Sequence, residues 1–178
     1  MEPAIIVRSI IPADDVLLAA IIRNTLMEFG AAKPGTVYFD DTTDHLTELF
    51  KTKGSRYFVV TIDGTVAGGA GIYPTENLPA DTCELVKLYL ATTARGKGIG
   101  KLLLQHCEEA AIQLGYKNIY LETMPELKIA VPMYEKMGYQ YLKQSIGNSG
   151  HTGCDIWMMK KVEPHPPSPS PKGEGAVL

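Results

Sequence analysis

Apolar side chains recur along the chain in two rhythms, every second residue in some stretches and every three or four in others. Ala4 to Ile10 is a short β-branched run that predicts a strand. Pro12, Asp14 and Asp15 then open a helix over Val16 to Phe29, because proline suits the first helical position and carboxylates favour the positive helix end. Thr43 to Lys51 carries a shorter helical pattern that stops before Gly54. Arg56 to Ile62 and Thr65 to Tyr73 are strand patterns joined by Asp63-Gly64, a pair suited to a two-residue hairpin turn. Next come a strand over Cys83 to Leu90, a helix over Ile99 to Leu114 stopped by Gly115, and a strand over Asn118 to Glu122. A helix over Ala130 to Met137 stops at Gly138, and strands follow at Tyr139 to Leu142 and Asp155 to Lys160. In the long helix Ile99, Leu102, Leu103, Cys107, Ala110, Ala111 and Leu114 form a core-facing stripe. The pattern predicts a mixed α/β domain with an antiparallel front half.

Composition fits one domain over residues 1–162: of 178 residues, 45% are hydrophobic and 21% charged, enough to bury a single core without staples. From Glu163 the chain turns to Pro, Ser and Gly, which build neither a ladder nor a packed face, so 163–178 is expected to be a disordered tail. A net charge of -3 and a pI of about 5.8 argue against nucleic acid as a partner and for a small ligand. No run approaches the roughly 18 apolar residues of a membrane span, and Met1-Glu2-Pro3 lacks the basic-then-apolar start of a secretory signal. The expected location is cytoplasmic, with no membrane partner. Cys83, Cys107 and Cys154 are scattered without CxxC spacing, which predicts free thiols and no metal site.

The densest chemical signal is Arg95-Gly96-Lys97-Gly98-Ile99-Gly100, between a predicted strand and a predicted helix. Glycines let backbone approach a ligand closely, and the first helical turn offers unpaired N–H groups and a positive dipole end to an anion. A P-loop would need Ser or Thr after Gly100-Lys101, where Leu102 stands. A dinucleotide fingerprint would need a third glycine where Lys101 stands, and the preceding segment is a hairpin rather than a βαβ unit. What remains is Arg-x-x-Gly-x-Gly at a helix entrance, preceded by Glu-Leu-Val-Lys-Leu-Tyr-Leu and followed by Tyr134-Glu135-Lys136-Met137-Gly138-Tyr139.

With these motifs in this order, residues 4 to 161 resemble the GNAT superfamily of acetyl-CoA-dependent N-acetyltransferases. The resemblance implies an α+β fold with a mixed, mostly antiparallel sheet of about six or seven strands flanked by about four helices. It implies acetyl-CoA as co-substrate. Its pyrophosphate would lie on Arg95, Gly96, Lys97, Gly98, Ile99 and Gly100, and its pantetheine arm along the backbone of Leu88, Tyr89 and Leu90. Glu84 falls where one branch of the superfamily carries its general base, and Tyr134 where many members carry the acid for the leaving thiolate. Plain strand alternation puts Glu84 on one face with Val86, Leu88 and Leu90, about 20 Å from Leu90 at ~3.3 Å per residue. Its bland alternatives are a surface carboxylate or a partner for Lys87.

Two residues depart from the family pattern. Leu127 replaces an asparagine that often contacts the cofactor, and Pro132 inside the fourth helix implies a late start or a kink. On the acceptor side Tyr38, Phe39, Asp40 and Asp41 suit a cationic amine, and the loop Gly147 to Cys154 contributes Asn148 and His151, the latter an alternative base. Tyr38, Asn148 and His151 are the acceptor-binding candidates. Met124, Met133, Met137, Met158, Met159 and Trp157 read as packing. The expected activity is direct transfer to a primary amine of a small molecule or peptide, with no covalent enzyme intermediate and a second copy of the chain as a candidate partner. The alternatives are a non-catalytic acyl-CoA sensor and an acetyltransferase acting on protein N-termini or lysines.

Overall fold

The computed structural model describes residues 2–164. The expected tail from 165 onward lies outside the described residues. A seven-stranded sheet runs in the order β1-β2-β3-β4-β5-β7-β6, built from Ile5–Ser9, Arg56–Ile62, Thr65–Tyr73, Thr82–Leu90, Asn118–Thr123, Gln140–Tyr141 (β6) and Ile156–Lys161 (β7). Every pairing is antiparallel except β4 with β5. Helices α1 (Asp15–Glu28) and α2 (Leu46–Leu49) cover one face, where Leu18, Ile22, Leu26 and Leu46 pack on Tyr57 and Val59. Helices α3 (Ile99–Gln113) and α4 (Ala130–Lys136) cover the other, where Ile99, Leu103, Cys107 and Tyr134 join Val60, Ile72 and Leu85. This is the expected α+β architecture. Among the described residues no helix is long and apolar enough to cross a membrane.

Three local expectations need correction. The helix predicted over Thr43 to Lys51 breaks into a 3-10 turn at Asp41–Asp44 and a single α turn, α2. The buried Thr43 hydroxyl donates to the Val37 carbonyl (2.9 Å), and His45 takes non-helical angles, so side-chain bonding to the backbone outcompetes helix propagation. Pro132 neither delays nor kinks α4. It is the third helical residue, inside the first turn where an N–H has no helical partner to lose.

The third correction bears on the site. Strand β4 carries a bulge: Gly69 pairs with Tyr89 and Gly71 with Val86, so Lys87 and Leu88 together oppose Ala70. Lys87 sits at φ 52, a left-handed conformation that a lysine adopts only when its surroundings hold it there. Tyr57 is one such hold, for its hydroxyl donates to the Lys87 carbonyl (2.9 Å). The ring reaches across β3 because Gly69 and Gly71 leave room: a Cβ at either would lie 2.5 or 2.6 Å from it. The bulge flips the alternation. Glu84 shares its face with Val86 and Tyr89, toward α1, while Leu88 and Leu90 turn to the α3 core.

The bulge also sits where the sheet opens. Parallel pairing of β4 with β5 begins at Thr82 and Asn118 and ends at Leu85 and Leu121. Beyond that point β4 runs on to Leu90, leaving Val86–Leu90 without a strand on the β5 side.

Candidate active site

A groove follows this opening, walled by Phe29, Leu88, Leu90, Leu127 and Met133 and lined also by Arg95 and Gly100. Gly96 (φ +72) and Gly98 (φ +75) take the left-handed angles glycine tolerates, and beyond the adjacent residues no heavy atom lies within 4 Å of where either Cβ would be. Gly98 is the N-cap of α3, so the first-turn N–H groups lack helical acceptors beside that open space. Such a cradle fits a diphosphate, and the groove with its unpaired strand edge fits an extended arm. Gly100 has a different reason to be glycine: a Cβ there would come 3.0 Å from Met133 Sδ, so it permits close packing of α3 on α4.

The side chains around the cradle divide. Lys97 is exposed to solvent, whereas Ile99 is buried in the core and offers only backbone. Arg95 braces the groove. It donates to the Leu90 carbonyl (3.1 Å), Glu28 Oε1 (2.8 Å) and Thr25 Oγ1 (3.3 Å), and stacks on Phe29 (5.2 Å). The end of β4 is thereby tied to α1, and one Leu90 backbone acceptor is already engaged.

Near the point where β4 and β5 part, the polar groups gather. Glu84 is 2% exposed and accepts a hydrogen bond from the Thr75 hydroxyl. Burial pushes its carboxyl up to about 7, outweighing Thr75; the charge of Glu122 adds to the rise, and His151 and Lys87 oppose it. Glu122 accepts from Tyr120 Oη (2.7 Å) and Ser149 Oγ (2.6 Å). One ring nitrogen of His151 and one carboxylate oxygen each of Glu84 and Glu122 lie within 4.8 Å of one another. His151 Nε2 also meets Asp40 Oδ2 at 2.9 Å, and Lys87 Nζ donates to the same oxygen at 3.1 Å. Burial disfavours the Asp40 charge, yet His151 and Lys87 together hold its carboxyl below the usual carboxylate range. Burial lowers Lys87, partly offset by Asp40. A cluster with this spacing has the donor types for a cation, but Thr75, Tyr120, Ser149 and Asp40 already engage it, which favours proton handling.

Tyr134 stands in the same cavity as Glu84, Lys87, Glu122 and His151. It is 6% exposed, and burial pushes its phenol upward, so it is protonated at neutral pH. Of the acceptor-side candidates, His151 lies in the cluster, and Asn148 docks its loop on the β3-β4 connection through Glu76 (3.0 Å). Tyr38 does not join them: its hydroxyl meets Met27 Sδ (3.6 Å) and its ring packs on Phe39 (4.9 Å). Asp40, two residues later, is the one that reaches in. Sequence reasoning missed Glu122, Tyr120, Ser149 and Thr75 and did not give Lys87 its partner Asp40. The available signal was the i, i+2 pair Tyr120 and Glu122, two polar ends on one face of a strand that must be buried.

The sequence profile of the Acetyltransferase (GNAT) family matches residues 22–139, which hold β2–β5, the glycine cradle and Tyr134. The chain belongs to the GNAT acetyltransferase family. This acyltransferase is 34% identical over 158 residues to an uncharacterized N-acetyltransferase, YjgM, of Escherichia coli strain K12, covering 88% of this chain and 95% of that protein. Its fold is shared with a GNAT-family acetyltransferase of Staphylococcus aureus Mu50 (TM-score 0.79, 16% identity, 90% of this chain and 100% of that one). It is shared too with yncA of Salmonella typhimurium, a putative acetyltransferase solved with its cofactor acetyl-CoA (TM-score 0.72, 18% identity, 94% and 99% covered). At these identities the structural likeness speaks for the fold alone.

Proposed function

We propose that this GNAT enzyme transfers an acetyl group from acetyl-CoA directly to a primary amine of a small molecule or peptide. The observation that carries the reading is the placement of Glu84, a carboxyl that burial pushes up to about 7, beside the opening between β4 and β5 in a family of acetyltransferases. Acetyl-CoA supplies a thioester, an acyl group already joined to a good leaving group. Backbone N–H groups from Gly96 to Gly100 hold its diphosphate, with Lys97 adding positive charge from solvent. The backbone of Leu88, Tyr89 and Leu90 receives the arm in the gap that β5 leaves.

Glu84 takes the proton that makes an ammonium unreactive, a task for which a base titrating near working pH is best matched. Tyr134 donates its phenolic proton to the departing sulfur. The cysteines take no part: burial pushes Cys83 and Cys154 up to about 12 and Cys107 upward as well, so none supplies a thiolate. Direct attack by the amine is the remaining course.

The test is release of free thiol from acetyl-CoA over a panel of polyamines, amino acids, aminoglycosides and short peptides, with the acetylated product weighed by mass spectrometry. One amine gaining an acetyl group at catalytic turnover supports the reading. Acetyl-CoA that protects against heating while no amine in the panel is acetylated supports the sensor instead.

A further inference from the structure

Glu84 has a problem that its burial creates. A carboxyl that is 2% exposed takes a proton from every acceptor it activates, and it must lose that proton before the next turnover. The groups facing it come from separate parts of the chain: Lys87 from β4 itself, Glu122 from β5, Thr75 from the β3-β4 connection, and His151 from the loop before β7. Of these, His151 combines proximity, a basic nitrogen and an outward position: its side chain is 14% exposed and borders the acceptor-side cavity with Asp40, Asn148 and Ser149.

We propose that His151 is the proton acceptor second in line to Glu84, and that Asp40 and Lys87 are positioning residues that hold its ring in the tautomer this requires. The inference rests on the reading of Glu84 as the base. The hydrogen bond to His151 and the buried Lys87 ammonium, 3.1 Å away, together keep Asp40 an anion. An anionic Asp40 accepts from His151 Nε2 at 2.9 Å, which places the neutral ring's hydrogen on Nε2 and leaves Nδ1 as the basic atom. The main-chain N–H of His151 donates to Ser149 Oγ (3.0 Å), whose hydroxyl donates to Glu122, so the ring is anchored to the acidic side from its backbone as well.

The transfer balances simply. The O–H bond of protonated Glu84 breaks and an N–H bond forms on His151 Nδ1, directly or across one water, one ring nitrogen of His151 lying within 4.8 Å of a Glu84 carboxylate oxygen. Glu84 is again a carboxylate, and the imidazolium is stabilised by Asp40 and Glu122. The imidazolium then releases its proton to solvent through the acceptor opening. Cys154, on the same loop, does not compete, because burial keeps its thiol protonated.

The test is imidazole NMR on the full-length protein labelled with nitrogen-15, with His151→Gln used to assign the signal. Neutral His151 is expected as the Nε2–H tautomer, with Asp40→Asn shifting the population toward Nδ1–H. Its Nδ1 signal is expected to move in Glu84→Gln, since the relay has that nitrogen facing the Glu84 carboxyl. A wild-type Nδ1–H tautomer, or an Nδ1 signal that Glu84→Gln leaves in place, overturns the relay. These readings need no acceptor, so failure of the relay is distinguishable from failure of the acetyl-transfer reading. With the amine most active in the panel, Asp40→Asn is expected to lower kcat at least tenfold at unchanged KM for acetyl-CoA, with recovery in Asp40→Glu. Wild-type kcat in both His151→Gln and Asp40→Asn contradicts it.

Discussion

Glu84 gains its chemistry from being buried, and burial has two measurable consequences of opposite sign. As base it works when deprotonated, so kcat/KM rises through a limb near pH 7, and Glu84→Gln is expected to lower kcat/KM by 100-fold or more and remove that limb. For stability, the folded protein binds this proton more tightly than the unfolded chain does, the carboxyl being raised from 4.5 to about 7. Stability therefore falls as pH rises from about 4.5 through 7 and stays lower above it. Glu84→Gln, which cannot ionise, is expected to show a higher Tm than the wild type at pH 8 and a much smaller difference at pH 5, by calorimetric melting. A lower Tm at both pH values would mean that the carboxyl is structural. Tyr134→Phe separates a proton donor from a packing aromatic, since the ring still fills its place against Tyr139 (5.8 Å). It is expected to lower kcat at least tenfold while acetyl-CoA affinity by calorimetry moves less than twofold.

Elements were legible wherever local chemistry and tertiary structure agree. The hairpin of β2 and β3 follows from Asp63-Gly64, both residues taking positive φ as that turn requires, and α3 follows from its stripe and its flanking glycines. The β4 bulge was not legible, because it depends on Tyr57 reaching Lys87 across glycines on a neighbouring strand, and a period-two count carries no information about that. The difference is consequential, since a period-two count puts Leu88 and Leu90 with Glu84 and Val86 where the bulge puts Tyr89. Gly71→Ala tests the device: its Cβ would meet the Tyr57 ring at 2.6 Å and the Arg56 carbonyl oxygen at 2.7 Å. We expect a loss of at least ~2 kcal/mol in denaturant unfolding, with weaker acetyl-CoA binding as the bulge shifts. Gly98→Ala, at φ +75 with open space around its Cβ, costs only about 1 kcal/mol in strain, yet it places a methyl in the diphosphate cradle. It is expected to keep its circular dichroism spectrum and lose at least 30-fold in acetyl-CoA affinity by calorimetry.

At the scale of the molecule, the donor and acceptor halves of the site have different origins, which is why one was readable in advance and the other was not. The backbone of the donor half is a contiguous stretch, β4 through the start of α3, whose strand, glycines and helix lie in sequence order. The acceptor half is assembled from Asp40, Thr75, Glu84, Lys87, Glu122 and His151, brought together from five separate segments, with His151 and Asp40 111 positions apart. Only topology makes them neighbours: β5 inserts beside β4, and the 147–154 loop folds back onto the segment after α1, where the Gly153 N–H donates to the Gly35 carbonyl (2.9 Å). The central claim is that these halves act together as an acetyltransferase with Glu84 as its base. Its most direct measurement is the pH dependence of kcat/KM for acetylation of the best amine in the panel, followed by thiol release for wild type and Glu84→Gln. The account predicts a wild-type rise that levels off above pH 7 and, for Glu84→Gln, a rate at least 100-fold lower with no such limb. Equal rates with the same limb in both proteins would contradict it.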